Sequence, residues 1–301
     1  MARKRRGQPV NGWLILDKPV GLTSMRAVSK VRAILDAAKL GHAGTLDPMA
    51  SGVLPVALGE ATKTMAFVTD SRKHYRFTAV WGEERDTDDA EGRIIATSDA
   101  RPGGDRIAAL LADFSGVIAQ VPPQYSAIKI NGQRAYKLAR RGEEPAMTAR
   151  QVEIFSIRAV DDQPPGPMTQ TVFEVTCGKG TYVRALARDM GRKLGCYGYV
   201  GSLRRTAVGA FSEAGAISLD KLQQLVHSPP PYSFLLPIET PLDDIPAVAV
   251  TGGEADSLRH GQAVFVPSRK AGTVLVRSKG LPVAIATLSL GRLTPNKVFN
   301  L

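Results

Sequence analysis

Closely spaced prolines between residues 228 and 246 constrain the fold of this chain more than any other feature of its sequence. Residues 228–231 are Ser-Pro-Pro-Pro, and three more prolines follow between positions 237 and 246. Proline fixes its backbone φ and lacks an amide hydrogen, so a continuous helix or strand cannot run through such a segment. The segment has the composition of a linker, and we expect it to join a large domain, residues 10–244, to a small one, residues 245–301.

Strand-like and helix-like patterns alternate irregularly upstream of these prolines. Apolar or alternating runs predict strands at residues 12–16, 76–81 and 171–176. Helices are predicted after Ser24, which we take as an N-cap, at residues 107–114 and after Tyr182, because apolar residues recur there every three or four positions. Short apolar runs at residues 273–277 and 282–288 predict a small β domain. The fold class is therefore α+β.

The chain carries an excess of basic residues. Lys and Arg number 39 against 28 Asp and Glu, which gives a formal net charge of +11. Such an excess favours polyanionic partners, because basic side chains that neutralise phosphates release counterions. A contribution to solubility alone is the alternative. Basic residues recur in residues 121–151, which we expect to protrude, and in residues 1–9, which we expect to form a flexible arm.

The sequence disfavours several classes of protein. Cys177 and Cys196 are too few for a disulfide framework or a cysteine-based zinc site, and they favour a reduced, cytoplasmic setting. The four histidines lack metal-ligand spacing, so we expect no metal. The apolar run after the basic start covers only residues 13–16, and no stretch approaches the ~18 apolar residues of a membrane span. We therefore expect neither a secretion signal nor a membrane association.

An aspartate in a glycine-rich stretch is the main candidate for chemistry. Residues 41–52 are Gly-His-Ala-Gly-Thr-Leu-Asp-Pro-Met-Ala-Ser-Gly, a composition that predicts an irregular loop around Asp47. A turn aspartate that bonds its own backbone is the alternative, and the spacing of a phosphate-binding P-loop is missing. The acidic residues 86–89 lack the spacing of a calcium loop, so we expect a turn packed near Asp47 rather than a cation site.

The stretch around Asp47 resembles the catalytic signature of the TruB family, bacterial tRNA pseudouridine synthases that act on the T-loop uridine at position 55. Further segments resemble the family's motifs in the same order, namely residues 16–19, 59–63, 74–76, 82–92, 122–129, 136–142, 177–184 and 203–206. Residues 258–262 resemble, over a shorter run, the RNA-binding PUA domain. The resemblance implies a pseudouridine synthase fold, with a mixed, largely antiparallel central sheet flanked by helices, and a small PUA-like β domain.

The resemblance also implies roles for individual residues. Asp47 matches the nucleophile, Tyr75 the tyrosine that stacks on the target base, and Arg184 the arginine that pairs with the aspartate. Substrate contacts are expected from a second set, namely His42, Leu203, Tyr182, Lys18, Lys129 and Arg141. Among these, His42 matches the histidine that enters the T-loop, and the lysine at position 18 is given a structural or supporting role. On position alone, a core tyrosine, a loop histidine and a surface arginine are the alternatives.

The implied reaction explains these residue types. Isomerisation breaks the N1–C1′ bond of uridine and forms a C5–C1′ bond without gain or loss of atoms, so no cofactor is expected. Carboxylate attack on C1′ and departure of the base through a glycal intermediate both fit. Burial raises the pKa of an aspartate and a neighbouring arginine lowers it. We therefore expect Arg184 to keep Asp47 ionised and to orient it through a two-pronged hydrogen bond.

Two other functions would use the same features. A non-catalytic RNA-binding or RNA-folding protein would leave the combination of Asp47, Tyr75 and Arg184 unexplained. A synthase guided by a separate RNA within a protein complex would keep the chemistry and change the substrate, but the lack of long basic tails favours a stand-alone enzyme. We therefore expect a cytoplasmic monomer that binds the T-arm stem-loop of tRNA without an obligatory protein partner.

Overall fold

The computed structural model describes residues 7–130, 132–139, 141–143, 146–160, 166–268 and 271–301. The strands are β1 Gly12–Lys18, β2 Leu40–His42, β3 Ala50–Leu58, β4 Lys73–Trp81, β5 Glu83–Arg85, β6 Ile94–Thr97, β7 Gly116–Gln120, β8 Lys129–Ile130, β9 Gln133–Arg134, β10 Arg150–Ala159, β11 Gln170–Cys177, β12 Gly198–Val208, β13 Phe211–Ser212, β14 Ala247–Ala249, β15 Val264–Phe265, β16 Gly272–Ser278, β17 Leu281–Ser289 and β18 Arg292–Val298. The α-helices are α1 Ser24–Leu35, α2 Met65–Asp70, α3 Gly104–Leu110, α4 Ala135–Ala139, α5 Val183–Leu194, α6 Leu219–Leu225 and α7 Gly252–Arg259. Short 3-10 helices cover Gly59–Thr64, Leu111–Phe114, Glu213–Gly215 and Thr240–Leu242.

A nine-stranded mixed sheet forms the large domain. Its strands lie in the order β1-β3-β12-β4-β11-β10-β7, with β2 paired to β3 and β13 paired to β12. Strands β3 and β12 run parallel, and the other described pairs of this sheet run antiparallel. The predicted α+β class and the mixed, largely antiparallel central sheet are confirmed. The strands predicted at residues 12–16, 76–81 and 171–176 correspond to β1, β4 and β11.

Both faces of this sheet are covered, which explains the unbroken apolar run of β1. Successive side chains of a strand point to opposite faces. Leu14 and Leu16 pack in a core with helices α1 and α5, whereas Trp13 and Ile15 pack on the other face in a second core. No helix in the described part of the chain is both long and apolar enough to cross a membrane.

Helix α1 begins one residue away from its predicted cap. The Thr23 hydroxyl accepts a hydrogen bond from the backbone amide of Arg26, so Thr23 is the N-cap and the prediction of Ser24 was wrong. Either residue type can cap a helix, and here the Ser24 hydroxyl instead forms hydrogen bonds with the backbone of Leu46. The predicted apolar stripe is buried as expected and consists of Val28, Val31 and Leu35.

The glycine-rich stretch is only partly a loop, contrary to prediction. Strand β2 ends at His42 and β3 begins at Ala50, so the loop proper spans residues 43–49. Gly52 lies inside β3 with φ +99°, and a Cβ atom there would lie 2.2 Å from the carbonyl oxygen of Arg205. Glycine at this position therefore permits the close approach of two strand backbones rather than a turn.

The helices predicted after the first third of the chain are present. The amphipathic pattern of residues 107–114 forms α3 and the 3-10 turn that follows it. Helix α5 carries the stripe predicted after Tyr182, and its buried apolar positions include Val183, Ala187, Met190 and Leu194. It ends at Leu194 and is capped by Gly195, which adopts φ 71°. This helix packs against β12 at the centre of the sheet.

The basic segment of residues 121–151 leaves the central sheet and returns to it. Its described part contains the short β8–β9 hairpin and helix α4, and residues 150 and 151 already belong to β10. Lys129 is exposed, as expected for a protruding segment, whereas Ala135 is fully buried.

The proline-rich segment is not an extended linker, and that prediction was wrong. Trp13 and Leu236 exchange backbone hydrogen bonds at 2.8 Å in both directions. Ile238 and Leu242 are 5% and 2% exposed and belong to the core between the two sheets. Prolines prevent continuous strand pairing here, but the apolar residues between them bury enough surface to fix the segment.

The predicted small β domain is present as a five-stranded sheet in the order β14-β16-β17-β18-β15. One of its faces packs on helix α7, and Leu275, Ile285 and Phe299 pack into the core shared with the large domain. At the other end of the chain, Gln8 pairs with Ala37, so residues 7–9 are not the flexible arm that we predicted. Residues 1–6 of that arm lie outside the described residues.

Candidate active site

Asp47 lies in the loop of residues 43–49, which connects β2 to β3 and is anchored to helix α1. The Ser24 hydroxyl donates to the carbonyl of Leu46 at 3.0 Å and accepts from the Leu46 amide at 2.8 Å. The carbonyl of Asp47 accepts from the amide of Ala50 at 3.1 Å. With its neighbours held in this way, the Asp47 side chain remains 37% exposed and faces a cavity.

The buried side chain of Lys18 lies next to the same loop. The ammonium of Lys18 donates to the carbonyls of Pro19 and Leu22 at 2.8 Å and is 3.5 Å from the carbonyl of Pro48. Burial lowers the pKa of Lys18 to about 8, although the nearby Asp47 carboxylate acts in the opposite direction. Because the side chain is 0% exposed, its position fits a supporting role.

Arg184, in the first turn of α5, holds the Asp47 carboxylate. Its Nε donates to Asp47 Oδ2 at 2.9 Å, and the guanidinium is only 4% exposed. The other two guanidinium nitrogens donate to the carbonyls of Thr87 and Tyr125 at 2.7 and 3.0 Å. The prediction of a two-pronged hydrogen bond to Asp47 was therefore wrong, because Nη1 and Nη2 donate to the two carbonyls and only Nε donates to the carboxylate. The result is a guanidinium with a fixed orientation and one hydrogen bond to the carboxylate.

The acidic turn of residues 86–89 completes the surroundings of this arginine. The carboxylate of Asp89 lies 3.5 Å from Arg184, and that of Asp88 lies 2.8 Å from the buried Arg188. Burial raises the pKa of Asp88 to about 6, against the effect of Arg188. In the part of the chain that the structure describes, no group of His, Cys, Asp or Glu side chains is arranged to hold a metal ion.

A cavity of about 670 Å³ opens in front of Asp47 and Arg184. Its lining comes from the loop, helix α1, the acidic turn and the basic segment, and includes His42, Thr87, Asp89, Tyr125, Ser126, Arg134 and Tyr136. An adjoining cavity of about 760 Å³ shares Glu91 with it and is lined by Leu203. The volumes suit a nucleotide-sized group with flanking chain.

Two buried polar atoms in this cavity lack a hydrogen bond of good geometry. Among the described residues, the buried side-chain atoms without a hydrogen bond are His42 Nδ1 and Ser126 Oγ, and both residues line the Asp47 cavity. The backbone of Gly44 acts on the His42 ring and Ser126 acts on the Tyr182 phenol, so a polar ligand in the cavity would complete hydrogen bonds that these neighbours make only incompletely. Burial, helped by the charge of Arg205, lowers the pKa of His42, which favours the neutral imidazole.

Two predicted tyrosines lie close enough to Asp47 for its charge to act on their phenols. Tyr75 lies on β4, opposite Arg205 of β12, and Tyr182 immediately precedes α5. Burial raises the pKa of both phenols, and Asp47 raises it further. The backbone of Tyr182 is fixed by the Gln120 amide, which accepts from its N–H at 2.8 Å and donates to its carbonyl at 3.1 Å. Both phenols are therefore neutral donors.

The remaining predicted residues are not among those that line the Asp47 cavity. Leu203 is 7% exposed and lies on β12 beside Ala50 of β3. Lys129 and Arg141 do not line the Asp47 cavity, and the latter donates to Gln133 at 2.6 Å on the exposed basic segment. From that segment, the residues that reach the cavity include Arg134, one of the basic residues of the predicted protruding segment, and Tyr136, the first residue of the motif at residues 136–142; neither was predicted as a substrate contact.

Three residues of the site were missed in the sequence. Ser24 was assigned to a cap, and Ser126 offered no signal apart from its place in a motif. Arg205 is 1% exposed, and it could have been found, because strand periodicity places it on the same side of β12 as Leu203.

Comparison with protein families gives two matches that adjoin along the chain. Residues 32–183 match the model of the TruB family pseudouridylate synthase N-terminal domain. Residues 184–243 match the tRNA pseudouridylate synthase B C-terminal domain.

Curated relatives align over nearly the whole chain. A tRNA pseudouridine synthase B of Nitrobacter winogradskyi is 55% identical, with 99% of this chain and 85% of the relative covered. The protein of that name from Rhodopseudomonas palustris is 54% identical over 99% of this chain and 83% of its own. That of Caulobacter vibrioides is 47% identical, with both chains covered completely, at 100%.

Solved structures share the fold at low sequence identity. A structure of an H/ACA RNP bound to a substrate RNA containing 2′-deoxyuridine gives a TM-score of 0.73 at 23% identity, covering 100% of this chain and 92% of that one. A Cbf5-Nop10-Gar1 complex gives 0.71 at 24% identity, covering 95% and 84%. Both likenesses concern the fold alone.

Proposed function

The chain belongs to the TruB family of pseudouridylate synthases, and from that premise we propose that it isomerises the T-loop uridine at position 55 of tRNA to pseudouridine. The observation that carries the proposal is the Asp47 carboxylate, half-exposed at a cavity and held at 2.9 Å by a buried arginine. An enzyme of this kind is an isomerase, and the reaction requires neither a cofactor nor a metal.

We propose that Asp47 is the nucleophile. In one balanced scheme, its carboxylate bonds to C1′ while the N1–C1′ bond breaks and the electron pair leaves with uracil. The rotated uracil then attacks C1′ through C5, the carboxylate departs, and a proton moves from C5 to solvent while N1 gains one. A glycal route would instead use the same carboxylate as a base at the sugar. In both routes the oriented Arg184 stabilises the carboxylate whenever it carries charge.

The flipped base needs surfaces that replace its stacking partners. We propose that Tyr75 stacks on the uracil and that Leu203 lines the apolar side of its pocket. Stacking of a base on an aromatic side chain contributes about 1–3 kcal/mol, comparable with the loss on leaving the RNA stack. His42, neutral and without a hydrogen bond of good geometry at Nδ1, is suited to enter the T-loop in place of the base. Tyr182 lies close to the same carboxylate and is proposed to contact the ribose.

RNA binding is proposed to extend over both domains. The exposed Lys129 and Arg141 would contact phosphates of the T-arm, and residues 245–301 would act as a PUA-like RNA-binding domain next to the catalytic domain of residues 10–244. The cavity residues Arg134 and Tyr136 connect the basic segment to the site. We propose a cytoplasmic monomer that needs no obligatory protein partner, because the site is formed by one chain and its tRNA substrate is cytoplasmic.

The test uses an unmodified tRNA transcript with tritium at C5 of its uridines. Wild-type protein should release one equivalent of tritium per transcript, from position 55, without added metal or nucleotide. Asp47→Asn keeps the size of the side chain and removes the nucleophile, so release should fall by at least about 10⁴-fold while tRNA affinity changes little.

Asp113→Asn is the matched control, because Asp113 is an exposed aspartate paired to Lys193 on the surface. It should turn over like wild type. Binding of tRNA without tritium release by wild type would indicate a non-catalytic RNA-binding protein. Release only in the presence of a guide RNA and partner proteins would indicate the guided alternative. Equal turnover by Asp47→Asn and wild type would exclude the proposed nucleophile.

A further inference from the structure

Arg205 is a buried cation that the chemistry above does not use. It lies on β12 and is 1% exposed. Within the described residues, no carboxylate lies in ion-pair range of its guanidinium. A buried charge is costly unless it is paired or fully hydrogen-bonded, so an arginine retained here without a carboxylate needs a reason.

The hydrogen bonds of Arg205 reach both sides of the catalytic loop. Its Nη2 donates to the carbonyl of Gly44 at 3.0 Å, three residues before Asp47. Its Nε donates to the carbonyl of Val53 at 2.8 Å, on strand β3 just after the loop. One rigid, planar group therefore ties the start of the loop to the strand that follows it.

One glycine in the loop and one in strand β3 leave room for this arginine. Gly44 adopts φ +87°, and a Cβ atom there would lie 3.2 Å from Nη1 of Arg205. Gly52 shows the same relation to the backbone of Arg205, since a Cβ atom would lie 2.2 Å from its carbonyl oxygen. Two glycines on either side of Asp47 thus allow the approach of a single residue.

The same guanidinium also lies beside the phenol of Tyr75. The two residues face each other across β4 and β12. The charge of Arg205 partly offsets the effect of burial, which raises the pKa of Tyr75, while Asp47 acts in the opposite direction. The phenol is therefore situated between the cation and the carboxylate, and a phenol oxygen that faces a cation presents its hydrogen elsewhere.

We propose that Arg205 is a positioning residue for the isomerisation, which fixes the Asp47 loop and the Tyr75 phenol relative to each other. The inference rests on the proposed function, because it assigns to Arg205 the geometry of the two groups that act on uridine. Arg205 is not among the residues that line the Asp47 cavity or the adjoining one, so it acts through Asp47 and Tyr75 rather than on the nucleotide. Its contribution is the alignment of the carboxylate with C1′ of the flipped nucleotide.

The experiment compares Arg205→Met and Arg205→Lys with Lys73→Met. Lys73 is a second buried cation that donates to backbone carbonyls, those of Val68, Thr69 and Ser71, at the end of helix α2. Its replacement removes a comparable structural contact without touching the Asp47 loop. Single-turnover pseudouridine formation and tRNA affinity are measured for each, with thermal unfolding as a check.

Arg205→Met is expected to lower the rate of the chemical step about 100-fold, as for a displacement of a reacting group by about 1 Å, with tRNA affinity within about twofold of wild type. Arg205→Lys, which keeps the charge and one donor, should recover about tenfold of that loss. Lys73→Met should lose thermal stability but keep the wild-type rate. Combined with Tyr75→Phe, Arg205→Met should cost less than the product of the two single losses, since both act on one arrangement.

Wild-type rates in both Arg205 variants would overturn the proposal, and so would a loss that Lys73→Met reproduces. If Arg205→Met does not fold, Arg205→Lys and Gly44→Ala decide. Gly44→Ala displaces the guanidinium without removing it and should also lower the rate but not the affinity. Failure of the proposed function would look different, because wild type would then form no pseudouridine in tRNA.

Discussion

The large domain and the C-terminal sheet bury different kinds of side chain. Among the described residues, the buried Asp, Glu, Lys and Arg side chains all lie in the large domain: Lys18, Lys73, Glu84, Asp88, Asp89, Arg184, Arg188 and Arg205. The buried cluster of the C-terminal sheet, from Val248 to Leu293, is entirely aliphatic. Buried charges oppose folding unless they are well paired, whereas aliphatic packing favours it.

The buried charges of the large domain are concentrated around the Asp47 loop. Arg184 bonds the Asp47 carboxylate, Lys18 approaches the loop at Pro48, and Arg205 bonds it at Gly44. These charges converge on one loop, as expected when stability is given up for a fixed electrostatic arrangement. The C-terminal sheet contains no comparable arrangement of buried charges among its described residues, and Leu275, Ile285 and Phe299 connect it to the large domain through apolar packing.

Among variants that keep Asp47 itself, the largest effect should come from removing its arginine partner. Arg184→Met leaves Asp47 without its partner and Asp89 without its ion pair, so turnover should fall roughly 10³-fold, as when one fixed donor is lost from a transition-state site. The free energy of unfolding should fall by about 3 kcal/mol, because the buried carboxylate of Asp89 loses its ion pair with Arg184. Tritium release and urea unfolding measure the two effects.

The control is Arg158→Met, which removes an exposed arginine paired with Glu174. Surface pairs contribute about 0–1 kcal/mol, so this variant should match wild type in turnover and nearly so in stability. If Arg184→Met kept the wild-type rate, the buried charges of the large domain would have no catalytic purpose, and the contrast between the two sheets would concern folding only.

The next effect concerns the aliphatic sheet. Leu288 is 1% exposed in the C-terminal core, so Leu288→Ala should lower the free energy of unfolding by about 2–5 kcal/mol through lost burial and a cavity. The rate at saturating tRNA should be unchanged at temperatures where the protein stays folded. Leu290→Ala, at a residue that is 98% exposed, is the matched control and should change stability by less than about 0.5 kcal/mol. A rate loss in Leu288→Ala like that of Arg184→Met would contradict the division of roles.

Local patterns predicted β1, β4 and β11 of the nine-stranded sheet and β16 and β17 of the five-stranded sheet, whereas the other strands of both sheets were not predicted individually. The apolar run of β1 indicates a strand buried on both faces, and the alternation of β4 indicates a strand buried on one face. The apolar stripe of α5 indicates the face of the helix that packs on the sheet. The errors occur where tertiary contacts decide. Thr23 and Ser24 have equal capping chemistry, and only the distant Leu46 selects between them. The proline-rich segment packs against the large domain because Ile238 and Leu242 are buried in the core between the two sheets, which no local sequence pattern predicts.

The site was predicted in its residues more than in its geometry. The motif resemblance identified Asp47 and Arg184, and the structure places them 2.9 Å apart. That the contact is single, through Nε, follows from carbonyls of two other segments, which no local pattern reveals. Arg205 shows the remaining limit, since an arginine on a strand is ordinarily a surface residue until neighbouring strands bury it.

The smallest effect is a pH dependence that only the charge-burying domain should show. Burial lowers the pKa of Lys73 to about 8 in the folded protein, from 10.5 in a model peptide. Above pH 8 the unfolded chain therefore retains a proton that the folded chain has lost, so stability rises with pH until about 10.5 and is flat below 8. Between pH 8 and 9 this lysine should add about 1 kcal/mol to the free energy of unfolding.

Urea unfolding of wild type and Lys73→Met at pH 7, 7.5, 8 and 9 isolates this contribution, because Lys18 remains in both proteins and burial, which raises the pKa of Cys177 to about 11, keeps that thiol protonated in the folded protein over this range. The difference in unfolding free energy should grow in favour of wild type from pH 8 to 9 and stay constant from pH 7 to 7.5. Lys297→Met, at an exposed lysine of the C-terminal sheet, should show no such growth. An equal growth for both variants would mean that the pH dependence reflects overall charge, and that buried lysines do not distinguish the two sheets.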